Sequence, residues 1–347
     1  METIYLTDQT LATADSAVTI GFFDGVHRGH RYLLEQLRRR AGERGLRSVA
    51  VTFDRHPRQV LQADWQPRLL TTLDEKEALL AETGIDRLVV LRFDRQMADL
   101  TALQFMQQVL RQQIGARLLL TGYDNRFGHR TPESSEGYDD YVGYGREMGI
   151  DVVQAEPLLI DGEAVSSSRV RRLLIEGRVD EAASCLGRAY ALEGTVGHGE
   201  QMGHRLGFPT ANLILGTRSD TGEILPRLDT VFDGKNEEPR TGTDFDGERL
   251  IPRNGVYAVL AVIRPRSANP TILPGMTNIG TRPTFDGHQQ TIETHIFGFN
   301  GDLYGQPIRI VFQHRLRDER HFDSPQDLAR QMELDAQQAL QLLTSNS

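Results

Sequence analysis

The hydrophobic pattern of this chain changes its grammar once, near Gly187, and that change commits it to two cores of different class. Up to about residue 155, β-rich runs at Ala17–Phe22, Arg47–Phe53, Arg87–Phe93 and Arg117–Thr121 alternate with polar, leucine-punctuated stretches of helical length, the order of a parallel α/β sheet. Val89-Val90-Leu91 and Leu118-Leu119-Leu120 are continuous apolar runs, as strands need when helices cover both of their faces. Arg169–Glu176 and Val179–Leu186 read as two short helices. After them come candidate strands at Tyr190–Val196, Ala211–Leu215, Val256–Ile263, Met276–Ile279, Gln290–Phe297 and Ile308–His314, separated by Gly, Pro and Asn with little helix between. That spacing predicts a small antiparallel β-barrel. A closing helix from about Pro325 to Leu343 carries Leu328, Met332, Leu340 and Leu343 as its apolar positions. The expected domains are therefore 1–186, α/β, and 187–347, β with one covering helix. At 347 residues the chain exceeds the usual size of a single core, which agrees with two. The segment 216–247, rich in Gly, Asp, Arg and Thr and without sustained periodicity, reads as a mobile insertion.

Charge and cysteine content narrow the partners. A formal charge of −9 argues against nucleic-acid binding, which relies on a basic surface releasing counterions from phosphates, so bound anions must be held by a few placed groups. Cys185 is the sole thiol, which excludes an intrachain disulfide and any cysteine-rich metal site and fits a reducing cytoplasm. The start Met1-Glu2-Thr3-Ile4-Tyr5 lacks the basic flank and apolar run of a signal peptide, and no later apolar stretch is long enough to span a bilayer. No membrane partner is expected, and the sequence leaves the oligomeric state open.

The first strand runs into Gly21-Phe22-Phe23-Asp24-Gly25-Val26-His27-Arg28-Gly29-His30, followed by a helix whose apolar face begins at Tyr32, Leu33 and Leu34. Three apart at a helix start, His27 and His30 can face one side, while Gly25 and Gly29 let a ligand approach the backbone. A helix N-terminus adds unpaired N–H groups and the positive dipole end, which suits a polyphosphate. Histidine donors there can stabilise charge on phosphate oxygens without a covalent intermediate. An isolated pair of this kind would equally serve as a helix cap and a packing residue. The decapeptide resembles the H-x-G-H signature of the nucleotidyltransferase superfamily, in the Phe-Asp-Gly-x-His form of bacterial FAD synthetases. The resemblance implies a Rossmann-like nucleotidyltransferase sheet and catalytic roles for His27 and His30.

Further blocks keep the order of that family: Thr52-Phe53-Asp54-Arg55-His56-Pro57, Gly122-Tyr123-Asp124-Asn125-Arg126-Phe127-Gly128 and Val165-Ser166-Ser167-Ser168-Arg169-Val170-Arg171. By resemblance, Ser167, Ser168 and Arg171 hold ATP phosphates, as hydroxyls at a helix start with an arginine one turn on can do; a serine N-cap before a solvated arginine face is the plainer reading. Asp124 takes the polar position of its block, or closes an Asx turn. Asn125 departs from the aromatic residue common there.

In the second half, Gly194-Thr195-Val196-Gly197-His198-Gly199 leads to Gly203-His204-Arg205-Leu206-Gly207-Phe208-Pro209-Thr210-Ala211-Asn212. These glycines join strands instead of opening a helix, so neither a P-loop nor a dinucleotide fingerprint is present. Gly-Phe-Pro-Thr-Ala-Asn resembles the most distinctive motif of the riboflavin kinase family, which implies that Thr210 and Asn212 bind the Mg²⁺ of the nucleotide and that Gly203 and His204 lie near its phosphates. The family usually has Arg where His204 stands. Asn254-Gly255-Val256-Tyr257-Ala258, Asn278-Ile279-Gly280-Thr281-Arg282-Pro283-Thr284-Phe285, Thr291-Ile292-Glu293-Thr294-His295-Ile296 and Leu316-Arg317-Asp318-Glu319-Arg320-His321-Phe322 follow in family order. Glu293 matches the general base that takes the riboflavin 5′-hydroxyl proton, and Arg317 a residue near substrate. On residues alone, a Glu on a strand faces solvent.

The two resemblances together imply an enzyme that uses ATP to turn riboflavin into FMN and FMN into FAD. Two alternatives stay open on the sequence: an adenylyltransferase serving another acceptor, and a flavin-binding regulator with inactive sites.

Overall fold

A computed structural model describes residues 1–6, 14–62, 68–129, 136–197, 208–218, 224–226, 249–265, 269–284 and 287–345. Gly203 and His204, and most of the 216–247 segment, lie outside the described residues. The chain divides into two compact units, Met1–Ser167 and, apart from 245–248, Ser168–Ser347.

The first unit is a six-stranded parallel sheet built from β1 (Glu2–Leu6), β2 (Ser16–Ile20), β3 (Arg47–Phe53), β4 (Arg87–Leu91), β5 (Ala116–Thr121) and β6 (Asp151–Gln154), in the order β1-β4-β3-β2-β5-β6. The sequence pattern marked the four inner strands and not the two edges. Alternation along the strands divides two cores. Ala17, Ala50, Leu88, Val90, Leu118 and Leu120 pack with Leu33, Leu34, Leu37 and Ala41 of α1 (Arg28–Glu43). Their neighbours Val18, Val49, Val51, Val89, Leu91 and Leu119 meet Phe105, Met106, Val109, Leu110 and Tyr141 on the opposite face. The connecting helices are α2 (Pro57–Leu61), α3 (Leu73–Ala81), α4 (Arg95–Ala98), α5 (Ala102–Phe105, continued by a π-helical stretch Met106–Gln113) and α6 (Tyr138–Met148). Strand order reverses between β2 and β5, and the carboxyl ends at such a reversal are where open α/β sheets bind ligands. A short hairpin of β7 (Leu159–Ile160) and β8 (Glu163–Ala164) ends the unit.

The second unit opens one residue into α7 (Ser167–Ile175), which α8 (Val179–Leu186) follows. Helix α8 packs on the barrel, where Asp180 meets His314 at 2.6 Å. The barrel comprises β9 (Ala191–Gly197), β10 (Ala211–Ile214), β13 (Gly255–Ile263), β14 (Thr271–Thr284), β15 (Gly287–Ile296) and β16 (Pro307–Arg317), closed in the order β10-β15-β14-β13-β16-β9. Between β10 and β13, β11 (Gly216–Arg218) and β12 (Ile224–Pro226) form an antiparallel ribbon. Tyr257 and Phe312, both fully buried, meet edge to face at 5.4 Å.

Helix α9 (Pro325–Thr344) covers Ala258 and Met276 of the barrel. Its inner stripe is Leu328, Met332, Asp335, Ala339 and Leu343, in steps of three and four. Leu340, expected inside, is 39 % exposed, whereas Asp335 is 2 % exposed. The inner face thus contains a carboxylate.

Candidate functional site

The loop after β2 is built under backbone strain. Phe23, Gly25 and Val26 have φ of +53°, +81° and +37°, a conformation that L side chains hold only where the surroundings enforce it. Asp24 supplies the enforcement: its buried carboxylate accepts the amides of Leu70 at 3.0 Å and Thr71 at 3.1 Å, with the Thr71 hydroxyl at 3.2 Å. The same hydroxyl accepts the Gly25 amide at 3.0 Å.

His27 caps α1, its Nδ1 accepting the His30 amide at 3.2 Å. A neutral imidazole accepting at Nδ1 carries its proton on Nε2, so the structure selects a tautomer with a donor on the far side. The two rings stack at 3.6 Å between centroids, and His27 is 4 % exposed. Gly29 lies against the Val165 carbonyl, which a Cβ would approach to 2.8 Å. Ser167 donates its hydroxyl to the Asp24 carbonyl at 2.9 Å. The Val-Ser-Ser-Ser block and the His-Arg-Gly-His block, far apart in sequence, therefore meet at the carboxyl end of β2.

From the other side of the strand-order reversal, the loop after β5 reaches the same place, because the Asn125 amide donates to the Ile20 carbonyl. The residue that departs from the aromatic pattern thus ties that loop to the end of β2. Asp124 is exposed beside Tyr123, whose hydroxyl is pushed up first by burial and then by the Asp124 charge and hydrogen bond. After β3, Asp54 accepts the Phe93 amide at 2.9 Å, and His56 caps α2. Buried Lys76, which the sequence reading passed over, donates to the Phe53 carbonyl at 3.2 Å and sits 4.2 Å above the Phe22 ring. Ser168 and Arg171 stand on the first turns of α7, in the second unit.

In the barrel, Glu293 of β15 lies directly opposite Asn212 of β10 and Asn278 of β14. Directly opposed residues of antiparallel strands share a face, so a carboxylate stands between two amides. Alternation buries Ile292, Thr294 and Ile296 and sends Thr291, Glu293 and His295 into a cleft of about 270 Å³ beneath α9. Thr210, Met276, Asn278, Arg317, Phe322 and Met332 also line it. Thr210 is shared with a second cleft of about 550 Å³, walled by Val196, Ile296, Phe299, Leu303 and Tyr304. His295 bonds the Pro209 carbonyl at 2.8 Å and holds the Phe208 ring edge-on at 5.2 Å, which steadies the residue before Thr210. Arg317 is held by Asp335, with Nε at 3.0 Å from both carboxylate oxygens and a terminal nitrogen at 2.7 Å. Asn278 lay in a block already recognised in sequence; Asp335 was signalled only by an acid on an apolar stripe.

The sequence profile of the FAD synthetase family matches residues 9–169, and that of the riboflavin kinase family matches residues 186–343. The bifunctional riboflavin kinase/FMN adenylyltransferase of Escherichia coli K12 is 34 % identical over 321 residues, which span 92 % of this chain and 90 % of that protein. The Bacillus subtilis protein of the same name is 32 % identical over 341 residues, 96 % of this chain and 94 % of that one. A solved structure described as a macrolide-efflux protein from Streptococcus pneumoniae shares the architecture, with a TM-score of 0.78 and 28 % identity over 97 % of this chain and 98 % of that one. With both profiles matched in order and the relatives aligned along nearly their whole length, the chain belongs to the bifunctional riboflavin kinase/FMN adenylyltransferase family.

Proposed function

We propose that the two reactions of this enzyme, phosphorylation of riboflavin and adenylylation of FMN with ATP, are carried out by residues 187–347 and 1–186 respectively. The kinase assignment rests above all on the register that sets Glu293 between Asn212 and Asn278, in a cleft that shares Thr210 with its neighbour. A general base must lie beside the hydroxyl that it deprotonates, so riboflavin is assigned to the cleft of Glu293, with Met276, Met332 and Phe322 as apolar walls. ATP is assigned to the other cleft, between Phe299 and Tyr304. The 5′-hydroxyl oxygen attacks the γ-phosphorus, its proton passes to Glu293, and ADP departs.

Transfers of this kind run with a divalent cation beside ATP. The Thr210 hydroxyl and Asn212 amide offer hard oxygen donors, which fit Mg²⁺, an ion that keeps several waters and shares substrate phosphates. No set of three His, Cys, Asp or Glu side chains is placed for a metal among the described residues, so the substrate phosphates complete the ligand set in this reading. The chemistry such an ion would supply, when held there by Thr210 and Asn212, is neutralisation of charge on the leaving phosphate. Gly203 and His204 keep their proposed place near the nucleotide phosphates on resemblance alone.

In the first half, a phosphate oxygen of FMN attacks the α-phosphorus of ATP and pyrophosphate leaves, with no covalent enzyme intermediate. Nε2–H of His27 and the His30 ring stabilise charge on the phosphate oxygens, and Gly25 and Gly29 give the chain close access; Ser167, Ser168 and Arg171 keep their proposed role at the ATP phosphates by resemblance. Asp124 contacts the substrate at the loop after β5. A cytoplasmic place suits the single thiol; among the described residues no helix is long and apolar enough to cross a membrane.

The test is Glu293→Gln. FMN formation from riboflavin is expected to fall by about 10²-fold or more, the usual worth of a general base, while FAD formation from supplied FMN continues at the wild-type rate. Retained riboflavin phosphorylation would remove Glu293 from the mechanism.

A further inference from the structure

We infer that Asp335, on the C-terminal helix, is a positioning residue for the flavin: it fixes the Arg317 guanidinium as part of the wall of the riboflavin cleft. The inference rests on the assignment of that cleft to riboflavin. Asp335 is 2 % exposed and is found on the apolar stripe of α9, where Leu328 and Met332 precede it and Ala339 follows. A carboxylate in that position is costly unless its oxygens are matched. Here the match is complete on one side: Arg317 presents Nε and a terminal nitrogen to it at 2.7–3.0 Å, and the Gln331 amide donates to Oδ1 at 2.9 Å. The other terminal nitrogen of Arg317 donates to the Asp318 carbonyl at 3.0 Å, and the guanidinium lies 5.7 Å from the Phe322 ring.

These bonds join three separate pieces of the cleft: the end of β16, the 318–322 loop and α9. They also engage the guanidinium. The bidentate pair with Asp335 holds it in one plane, in a cleft that Glu293 and Glu319 also line. Arg317 thus serves as a fixed wall, and Asp335 is what fixes it. Neither residue borders the cleft assigned to ATP, so the effect of loosening the pair is confined to the flavin.

The full-length enzyme is to be assayed as wild type, Asp335→Asn, Arg317→Lys, the double variant and Gln331→Ala, varying riboflavin and ATP separately, with thermal melts and FAD formation from supplied FMN alongside. The expected result is a KM for riboflavin raised about tenfold in Asp335→Asn and in Arg317→Lys, with kcat and the KM for ATP within about threefold of wild type, the pattern of lost ground-state binding. The double variant is expected to be no worse than either single one, because the two side chains act as a unit. Gln331→Ala, which keeps the ion pair, raises the riboflavin KM in the same direction by about two- to fivefold and serves as the deciding variant if Asp335→Asn does not fold. An unchanged riboflavin KM in these variants, an equal rise in both KM values, or defects that multiply in the double variant would overturn the inference. Failure of the wild-type enzyme to phosphorylate riboflavin, or full activity of Glu293→Gln, would instead overturn the cleft assignment.

Discussion

Gly29 shows how far single residues carry the account. A Cβ there would come within 2.8 Å of the Val165 carbonyl and 3.1 Å of the His27 ring, so Gly29→Ala must move either the capping histidine or the segment that leads to Ser167. Displacements of this size at a reacting centre cost about 10²-fold in rate. FMN adenylylation is expected to fall by that order in Gly29→Ala, with riboflavin phosphorylation unchanged; a coupled assay with each flavin supplied in turn checks it. Asp24 acts one step further back. Asp24→Ala leaves the Leu70 and Thr71 amides and the Thr71 hydroxyl without their buried acceptor, which should cost about 3 kcal/mol of stability and be read as a lowered midpoint in denaturant. The motif resemblance made Asp24 visible as part of a signature. Its work as the anchor of a strained loop was not legible, because its partners lie some fifty residues away.

Among the elements, those with strong periodicity were legible and those at edges were not. The four inner strands of the sheet carry apolar runs, whereas β1 and β6 are the outermost strands, with one neighbour each and less need for apolar residues. β14 extends to Thr271–Thr284 beyond the expected Met276–Ile279, since Gly275 and Pro274 mark a strand end in sequence but stay paired here with Ile296 and Leu260. On α9, the apolar residues fixed the existence of the helix but not its inner face, which Asp335 shares only because Arg317 meets it from another strand. Ser324 caps α9 by accepting the Asp327 amide at 3.1 Å, so Ser324→Ala should destabilise the second unit by about 1 kcal/mol, measurable in a thermal melt. At the start of β4, burial acts to raise the Asp86 carboxyl, but the Ser48 hydroxyl and amide, helped by Arg38 and Arg47, hold it below the ordinary aspartate value. Its contribution is therefore whole above the unfolded aspartate value and lost as pH falls through the lower, folded one. Asp86→Asn is expected to lower the melting temperature near about pH 7, by an amount that shrinks as the pH falls below the ordinary aspartate value; a loss that stays constant as the medium is acidified would contradict it.

At the scale of the molecule, two units carry separate constellations that share a substrate class. The first places His27, His30, Gly29 and Ser167 at the reversal of a parallel sheet; the second places Glu293, Asn278 and Thr210 in one cleft of a barrel. The pattern change near Gly187 made the two architectures readable, and the motifs made both chemistries readable. What needed the structure was adjacency, since no spacing rule sets Asn212 and Asn278 on either side of Glu293. The order in which FMN and FAD appear tests the sequential chemistry. Purified protein incubated with riboflavin, ATP and Mg²⁺, with riboflavin, FMN and FAD separated by chromatography over time, is expected to accumulate FMN first and FAD after it. FMN that never proceeds to FAD, although the first unit is folded and ATP is present, would contradict the assignment of adenylyl transfer to that unit, and no product at all would contradict the account as a whole.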